Sequence, residues 1–226
     1  MKQFLLSLMT LAVLSVTATA QNNVKNLYAS APKLDIEKIQ DVQQPVQLNR
    51  YLFAGYNTLC LPLSVSAEQL SEAGLSAERL AAIRQEGDVL NLYFVDCTAE
   101  GIEAGQPYLV YSQKSQTFRV RNTDAMNVST ELSTVRLSDS QGNQVTFGSS
   151  WESVEKMGRY GIPAQQEAYP LQSVLVRTEA DKTFLPTRCG FTWEAQSPTA
   201  RELRIKHVSQ ADVTAISSKL TVSTRH

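Results

Sequence analysis

The feature of this sequence that most constrains its fold is the alternation of apolar and polar residues that begins after Gly87. In "DVLNLYFVDC" (88–97) both sets of alternate positions are apolar, which predicts a central strand that is buried on both faces. In "QTFRVRN" (116–122) apolar residues alternate with arginines, which predicts a strand with one face in water. The other strand candidates are "LNRYLFAGYNTLCLPL" (48–63), "GQPYLVYS" (105–112), "STVRLSDSQGNQVTFG" (133–148), "LQSVLVRTEADKTFLPTRCGFTW" (171–193), "ELRIKHV" (202–208) and "TAISSKLTV" (214–222). About eight to ten short strands separated by turn residues predict a mainly all-β fold, an antiparallel β-sandwich.

Helical signals occur in one window, "SVSAEQLSEAGLSAERLAAIRQEGD" (64–88). Ser66 followed by Gln69 matches a capping box, in which side chains and backbone at a helix start satisfy each other's hydrogen bonds. The spacing of Leu80 and Ile83 before Gly87 indicates a second short helix. We therefore predict a short helical insertion of two helices near residues 66–87, and no other helix of consequence.

The N-terminus has the form of a signal peptide. Residues 1–20 contain a basic start, an apolar run too short to cross a bilayer, and a small-residue ending. Residues 21–48 are polar and predicted to be an extended N-terminal segment, and residues 49–226 are predicted to form one β-sandwich domain with a C-terminal strand or tail. The protein is thus expected to be exported, either to the periplasm or to the cell surface and extracellular space, with no transmembrane segment in the mature chain.

The charges of the chain are balanced, with 21 Lys and Arg against 22 Asp and Glu, and neither sign forms a long block. Nucleic acids and anionic membranes are bound through clustered Lys and Arg that neutralise phosphate groups. The sequence therefore predicts no nucleic-acid partner and no electrostatic binding to an anionic membrane.

Three cysteines allow at most one disulfide and leave at least one thiol. The sequence does not decide the pairing, and Cys60 with Cys189 is the pair to test first, ahead of Cys60 with Cys97. Cys60 lies between leucines in an apolar run, where burial would raise the pKa of its thiol and disfavour a catalytic thiolate. Cys60 is therefore predicted to be a buried thiol or half of a disulfide.

The sequence lacks the spacing of a metal site. It contains neither a CxxC nor an HxxxH motif, and no metal and no cofactor is predicted. The oxygen-rich stretches at 138–143 and 178–183 are predicted to be hairpin turns rather than calcium sites. Glycoside hydrolysis would need two carboxylates facing each other across a cleft, and Glu103, Glu152 and Glu194 are the candidates for such a pair.

Four aromatic residues are candidates for binding a ligand, because sugar rings stack on exposed tryptophan and tyrosine. Trp151, Tyr160 and Tyr169 lie in "WESVEKMGRYGIPAQQEAYP" (151–170), which is punctuated by Gly and Pro and is predicted to be a loop. Trp193 alternates with Phe191 in a predicted strand. The alternative is that these rings fill the core, and for Trp193 that alternative is favoured.

Four motifs together resemble a known family. They are "GYNTLCLPLSVSAEQL" (55–70), "GIEAGQPYLV" (101–110), "FLPTRCGFTWE" (184–194) and "ADVTAI" (211–216). In this order they resemble a widespread group of secreted β-rich domains from Gram-negative anaerobes, with similarity over residues 48–216. Leu63 stands where the group tends to have Phe. The resemblance implies a module of the cell envelope or surface, of a kind commonly without an assigned function.

The function expected from these observations is that of an exported, non-enzymatic binding or structural module whose partner is a glycan or a surface protein. A hydrolase acting on glycans is the first alternative. The second is a subunit of a surface assembly, in which "TAISSKLTVSTRH" (214–226) would add a strand to the sheet of a neighbour.

Overall fold

The computed structural model describes residues 24–41, 43–125, 127–155, 158–163, 172–178, 183–195 and 200–222, with many more of them in strands than in helices. The strands are β1 (Lys25–Tyr28), β2 (Val46–Leu52), β3 (Gly55–Leu59), β4 (Leu75–Glu86), β5 (Val89–Asp96), β6 (Tyr108–Ser112), β7 (Gln116–Arg121), β8 (Val135–Ser138), β9 (Asn143–Ser149), β10 (Val154–Glu155), β11 (Tyr160–Gly161), β12 (Val176–Arg177), β13 (Thr183–Phe184), β14 (Cys189–Ala195) and β15 (Glu202–Val208). The helices are α1 (Ile36–Gln40), α2 (Ala67–Glu72) and α3 (Gln210–Val222). The predicted all-β fold with a short helical insertion is confirmed.

Two five-stranded sheets form the sandwich. The first has the order β15-β5-β4-β6-β3 and the second β12-β11-β14-β9-β8. A three-stranded sheet, β1-β2-β7, and the short pair β10-β13 lie beside them. Most neighbouring strands are antiparallel, as predicted, but β15 is parallel to β5 and β1 is parallel to β2.

The main core lies between the two five-stranded sheets and is centred on three fully buried phenylalanines. Phe147 of β9 stacks on Phe191 of β14, with ring centroids 4.3 Å apart. Phe94 of β5 meets Phe147 edge to face, with centroids 5.9 Å apart. Both arrangements are among those that aromatic pairs prefer, so these three rings tie the inner faces of the two sheets together.

Strand β5 is covered on both faces, which confirms the central strand predicted from its sequence. Leu92 and Phe94 belong to the core between the sheets. Tyr93 and Val95 face the other way, where Val213 of α3 packs against them. The helix thus buries an apolar surface that would otherwise contact water.

Two short helices were predicted near residues 66–87, and the prediction of the second one is wrong. The first forms as α2, with the capping box of Ser66 and Gln69, but residues 75–86 are the long strand β4. A β-bulge lies between Leu80 and Ala82 and shifts the register of the strand by one residue. Leu80 and Ile83 therefore both reach the core although they are three residues apart, a spacing that imitates a helix.

The strand predicted over 214–222 is also wrong, because residues 210–222 form helix α3. Ser209 and Asp212 bond reciprocally at its start. The Ser209 hydroxyl accepts from the Asp212 N–H at 3.2 Å, and the Ser209 N–H donates to the Asp212 carboxylate at 3.1 Å. Val213 and Ile216 then fall on one helical face and pack against β4 and β5. In this structure 210–222 is therefore not an extended segment that could join a neighbour's sheet.

The N-terminal segment that we predicted to be extended contributes to a second core beside the three-stranded sheet. Strand β1 pairs with β2, and helix α1 follows it. Leu34 and Ile39 are buried in this second core together with the leucines at 59, 61 and 63. Leu63 thus occupies a buried position, which is consistent with a change of packing where the resembling group has Phe.

Candidate ligand-binding site

A cavity of about 430 Å³, here called the two-arginine pocket, lies between the edge strand β3 and the second five-stranded sheet. Its wall includes the side chains of Arg50, Phe53, Tyr56, Gln172 and Arg188. Pockets that bind small molecules commonly have volumes of about 300–1,000 Å³ and combine apolar walls with a few polar groups. The two-arginine pocket fits both criteria.

Arg50 is a charged residue at an inward position of a strand. Its neighbours at alternate positions in β2, Leu48 and Leu52, are fully buried, and Arg50 itself is only 5% exposed. Its Nη1 donates to the Tyr51 carbonyl at 2.7 Å and its Nη2 to the Thr58 carbonyl at 3.4 Å. Its Nε is buried and has no hydrogen-bond partner among the described residues. Arginine is rarely buried this far unless it is paired, so its position calls for a functional explanation.

Arg188 reaches the same pocket from the turn that precedes β14. Its Nε is also buried, and no residue in the described part of the chain bonds to it. The preceding residue, Thr187, is fully buried and has a φ of 68°, a conformation that is strained for a β-branched residue. The Thr187 carbonyl accepts from the Cys60 N–H at 2.9 Å, which fixes the turn against the end of β3. Backbone strain of this kind concentrates at functional sites.

The pocket carries a positive charge that no described residue neutralises. Within the described ranges, neither Arg50 nor Arg188 forms an ion pair with a carboxylate. Burial, and secondly the charge of Arg188, lower the pKa of Arg50 to about 9. Burial also lowers the pKa of Arg188. Both shifts mean that the protein environment opposes the charged form of these side chains.

A second cavity of about 130 Å³ borders the same two arginines and is also lined by Tyr28 and Tyr51. Both tyrosines are well exposed, at 58% and 48%, and Phe53 in the two-arginine pocket is 45% exposed. Tyr51 and Phe53 meet edge to face, with ring centroids 5.1 Å apart. Exposed aromatic rings therefore flank the arginines on two sides.

Gln172 connects the pocket to the edge strand β3. Its side-chain amide accepts from the Tyr56 N–H at 2.7 Å and donates to the Tyr56 carbonyl at 3.3 Å. It also donates to the Pro163 carbonyl at 2.8 Å. The residue has a φ of 49°, which is uncommon for glutamine. Gln172 thus holds the backbone of Tyr56 in place from across the pocket.

The three residues that follow Gln172 run along the other edge strand of the first sheet. The Leu175 N–H donates to the Leu203 carbonyl at 3.0 Å, and the Ile205 N–H donates to the Ser173 carbonyl at 2.7 Å. We call residues 172–175 the edge segment. It contacts β3 through Gln172 and β15 through these backbone bonds.

Of the four aromatic residues predicted to bind a ligand, the three that the structure describes do not line the two-arginine pocket. Trp151 donates its Nε1–H to the Thr130 carbonyl at 2.7 Å and packs against both cores. Trp193 donates to the Asn143 side chain at 3.1 Å, and Tyr160 lies beside it with ring centroids 6.2 Å apart. The structure thus brings Tyr160 and Trp193 together against the main core.

Tyr169 lies outside the described residues. The binding role of all four aromatics stays a prediction.

The arginines were missed, although one signal was available in the sequence. In "VQLNRYL" (46–52) Arg50 occupies the third of four alternating positions that are otherwise apolar.

Cys60, Cys97 and Cys189 are all buried free thiols in the structure, so the possible disulfide between Cys60 and Cys189 is not formed in it. The two thiols are neighbours, since each interacts with the Ser149 side chain. Burial raises the pKa of Cys60 and of Cys97 to about 12, and that of Cys189 well above its usual value. Neutral, buried thiols of this kind are poor nucleophiles.

These thiols give a direct prediction. At pH 8 the folded protein should react with a thiol-specific reagent such as dithionitrobenzoate at less than about one hundredth of the rate of a free cysteine, because the thiolates are both scarce and buried. In guanidinium, all three should react at once. A count of one thiol after unfolding would show instead that Cys60 and Cys189, or another pair, had formed a disulfide.

The three carboxylates considered for hydrolysis have separate surroundings. Glu152 forms an ion pair with Lys33 at 2.5 Å, and Glu194 is exposed on β14. Glu103 borders a cavity that also contains Glu100, which forms an ion pair with Arg79. No group of three or more His, Cys, Asp or Glu among the described residues could hold a metal ion.

Comparison with known proteins gives no match to any family model, any curated protein or any solved structure. Within the described part of the chain, no helix has the length and apolar character needed to cross a membrane.

Proposed function

We propose that this protein is an exported, non-enzymatic binding module of the cell envelope, and that its two-arginine pocket holds the anionic group of a ligand. The observation that carries the proposal is the presence of Arg50 and Arg188 in one cavity without an ion pair to any described carboxylate. Export and envelope residence are supported by the signal-peptide pattern of residues 1–20 and by the family resemblance.

A bound anion would compensate for the cost of burying the two arginine charges. A buried charge without a partner costs several kcal/mol, because desolvation is not repaid by attraction. An oxyanion placed between two guanidinium groups would supply that attraction through short, charge-assisted hydrogen bonds. The guanidinium groups of Arg50 and Arg188, which line the cavity, carry N–H donors in the planar arrangement that suits an oxyanion.

The chemistry of the pocket favours binding over catalysis. Its described lining contains no Asp or Glu, whereas glycoside hydrolysis uses a pair of them. The nearby thiols of Cys60 and Cys189 have raised pKa values and lack the low-pKa environment of a nucleophile. We therefore assign a binding role to the site.

The test is the stabilisation of the purified protein by small anions. Acetate, phosphate and sulfate are titrated against chloride at constant ionic strength, and the midpoint of thermal unfolding is measured. We expect at least one oxyanion to stabilise the protein saturably, as ligands of the native state do. Arg188→Gln should weaken that anion's apparent affinity about tenfold or more, because it removes a charge-assisted pair.

Arg136→Gln is the matched control, since Arg136 is an exposed arginine on β8, distant in sequence from the pocket and absent from its wall. It should respond to anions as the unaltered protein does. If no oxyanion stabilises the unaltered protein saturably, the proposal is wrong, and a carboxylate of the chain itself neutralises the two arginines.

A further inference from the structure

We infer that the ligand is an acidic glycan, with the carboxylate of one sugar between Arg50 and Arg188 and neighbouring sugars on the flanking aromatic rings. This inference rests on the proposed function and names the class of ligand that the same site would take. It is carried by the second cavity and by the exposure of the rings around both cavities.

The two cavities share part of their walls. Arg50 and Arg188 line both, so the two positively charged side chains lie at the boundary between the cavities. Phe53 lines the larger cavity, while Tyr28 and Tyr51 line the smaller one. A ligand with one charged unit and neutral or polar extensions on either side would contact all of these groups at once.

The exposed aromatic rings indicate what kind of group extends from the charged unit of the ligand. Tyr28, Tyr51 and Phe53 expose about half of their surface, so they present apolar faces beside water. The C–H face of a pyranose ring packs on such an aromatic face, while its hydroxyl groups stay hydrated. Purely apolar extensions would instead favour a deeper and drier cavity than the roughly 130 Å³ one beside Tyr28 and Tyr51.

The number of positive charges at the site limits the number of negative charges on the ligand. Two arginines at one point suit a single oxyanion, and the chain as a whole has a net charge of −1. Nucleic acids carry a phosphate on every nucleotide and are bound through extended stripes of Lys and Arg. A glycan that carries one acidic sugar among neutral ones matches the two arginines better.

The experiment is isothermal titration of the purified protein with matched pairs of probes. The probes are trisaccharides in which one sugar is galacturonate, glucuronate or sialic acid and the other two are neutral, their methyl esters, the corresponding acidic monosaccharides, a sulfated trisaccharide, and acetate. We expect at least one carboxylate trisaccharide to bind about tenfold more tightly than its monosaccharide, because two additional rings are engaged. Its methyl ester should show no binding, since esterification removes the charge.

Variants of the aromatic residues separate the contribution of the rings to binding from the contribution of the arginines. In Tyr51→Ala combined with Phe53→Ala, the trisaccharide and the monosaccharide should bind with about the same affinity, because the rings that engage the additional sugars are gone. Tyr111→Ala is the matched control, because Tyr111 is 39% exposed but lines neither cavity. It should bind the trisaccharide as the unaltered protein does.

The outcomes distinguish this inference from the function on which it rests. Binding of acetate without any gain from the trisaccharides would overturn the glycan inference and leave the anion site intact. Absence of binding by every probe, acetate included, would overturn both. Tight binding of the sulfated trisaccharide alone would also overturn the inference as stated, since it would assign the arginines to sulfate.

Discussion

Replacing Arg50 with methionine is expected to stabilise the ligand-free protein and at the same time to abolish its response to anions. Methionine keeps the apolar stem that packs beside Leu48 and Leu52 but removes a buried charge that has no ion-pair partner among the described residues. Replacing buried charges by apolar residues of similar size can stabilise a protein by about 1–4 kcal/mol. For a domain of this size, each kcal/mol raises the unfolding temperature by roughly 2–4 °C.

The same experiment has a pH dependence whose sign follows from the lowered pKa of Arg50. Below about pH 9 the folded protein carries the charge and bears the full cost of its burial. Above that pH the folded state loses the proton while the unfolded state keeps it, so stability rises relative to the variant. The difference in unfolding free energy between Arg50→Met and the unaltered protein should therefore narrow between about pH 9 and pH 10.

Urea unfolding at pH 7 and at pH 10, with and without the anion found to bind, measures both effects. Arg136→Met is the matched control and should change neither stability nor pH dependence appreciably, because Arg136 is exposed. A less stable Arg50→Met protein would contradict the prediction. It would mean that the bonds from Arg50 to the carbonyls of Tyr51 and Thr58 outweigh the cost of the buried charge.

Replacing Phe147 with alanine is expected to lower the free energy of unfolding by about 3–5 kcal/mol. Phe147 is fully buried and contacts both Phe94 and Phe191, so the truncation removes aromatic contacts to both sheets and leaves a cavity that the sandwich cannot close. Phe53→Ala is the same truncation at a side chain that is 45% exposed, and it should cost less than about 1 kcal/mol.

Chemical unfolding followed by circular dichroism, together with anion and glycan titrations, separates the two phenylalanines. Phe147→Ala should unfold at much lower denaturant concentration, whereas Phe53→Ala should keep its stability and lose affinity for the glycan. Similar losses of stability in the two variants would show that Phe53 is a structural residue, and would remove it from the proposed binding surface.

The sequence predicted correctly those elements in which apolar residues recur at the spacing expected for that type of secondary structure. Strand β5 has apolar residues on both of its faces, and it is buried by the core on one face and by α3 on the other. The β8–β9 hairpin likewise forms around its predicted turn. Strand β4 was misinterpreted because its bulge changes the phase of the alternation, and no residue type in that stretch marks a bulge.

The candidate site was less predictable, because it is assembled from residues far apart in the chain. Arg50, Gln172 and Arg188 come from three separate elements, and their proximity depends on how the sheets pack. The tryptophans were chosen for their chemistry alone. Their indole N–H groups bond to Thr130 and Asn143, which is how partly buried tryptophans commonly satisfy their polar atom.

The edge segment has a consequence for how this protein meets other chains. A sheet with open edges offers unpaired N–H and C=O groups, which invite fibrillar aggregation and the insertion of foreign strands. Here the side chain of Gln172 imitates a neighbouring strand at Tyr56 of β3, and the next three residues bond to β15, so one tetrapeptide shields both borders of the first sheet. Polymerisation through these borders would thereby be hindered, and a partner that adds a strand there would first have to displace residues 172–175.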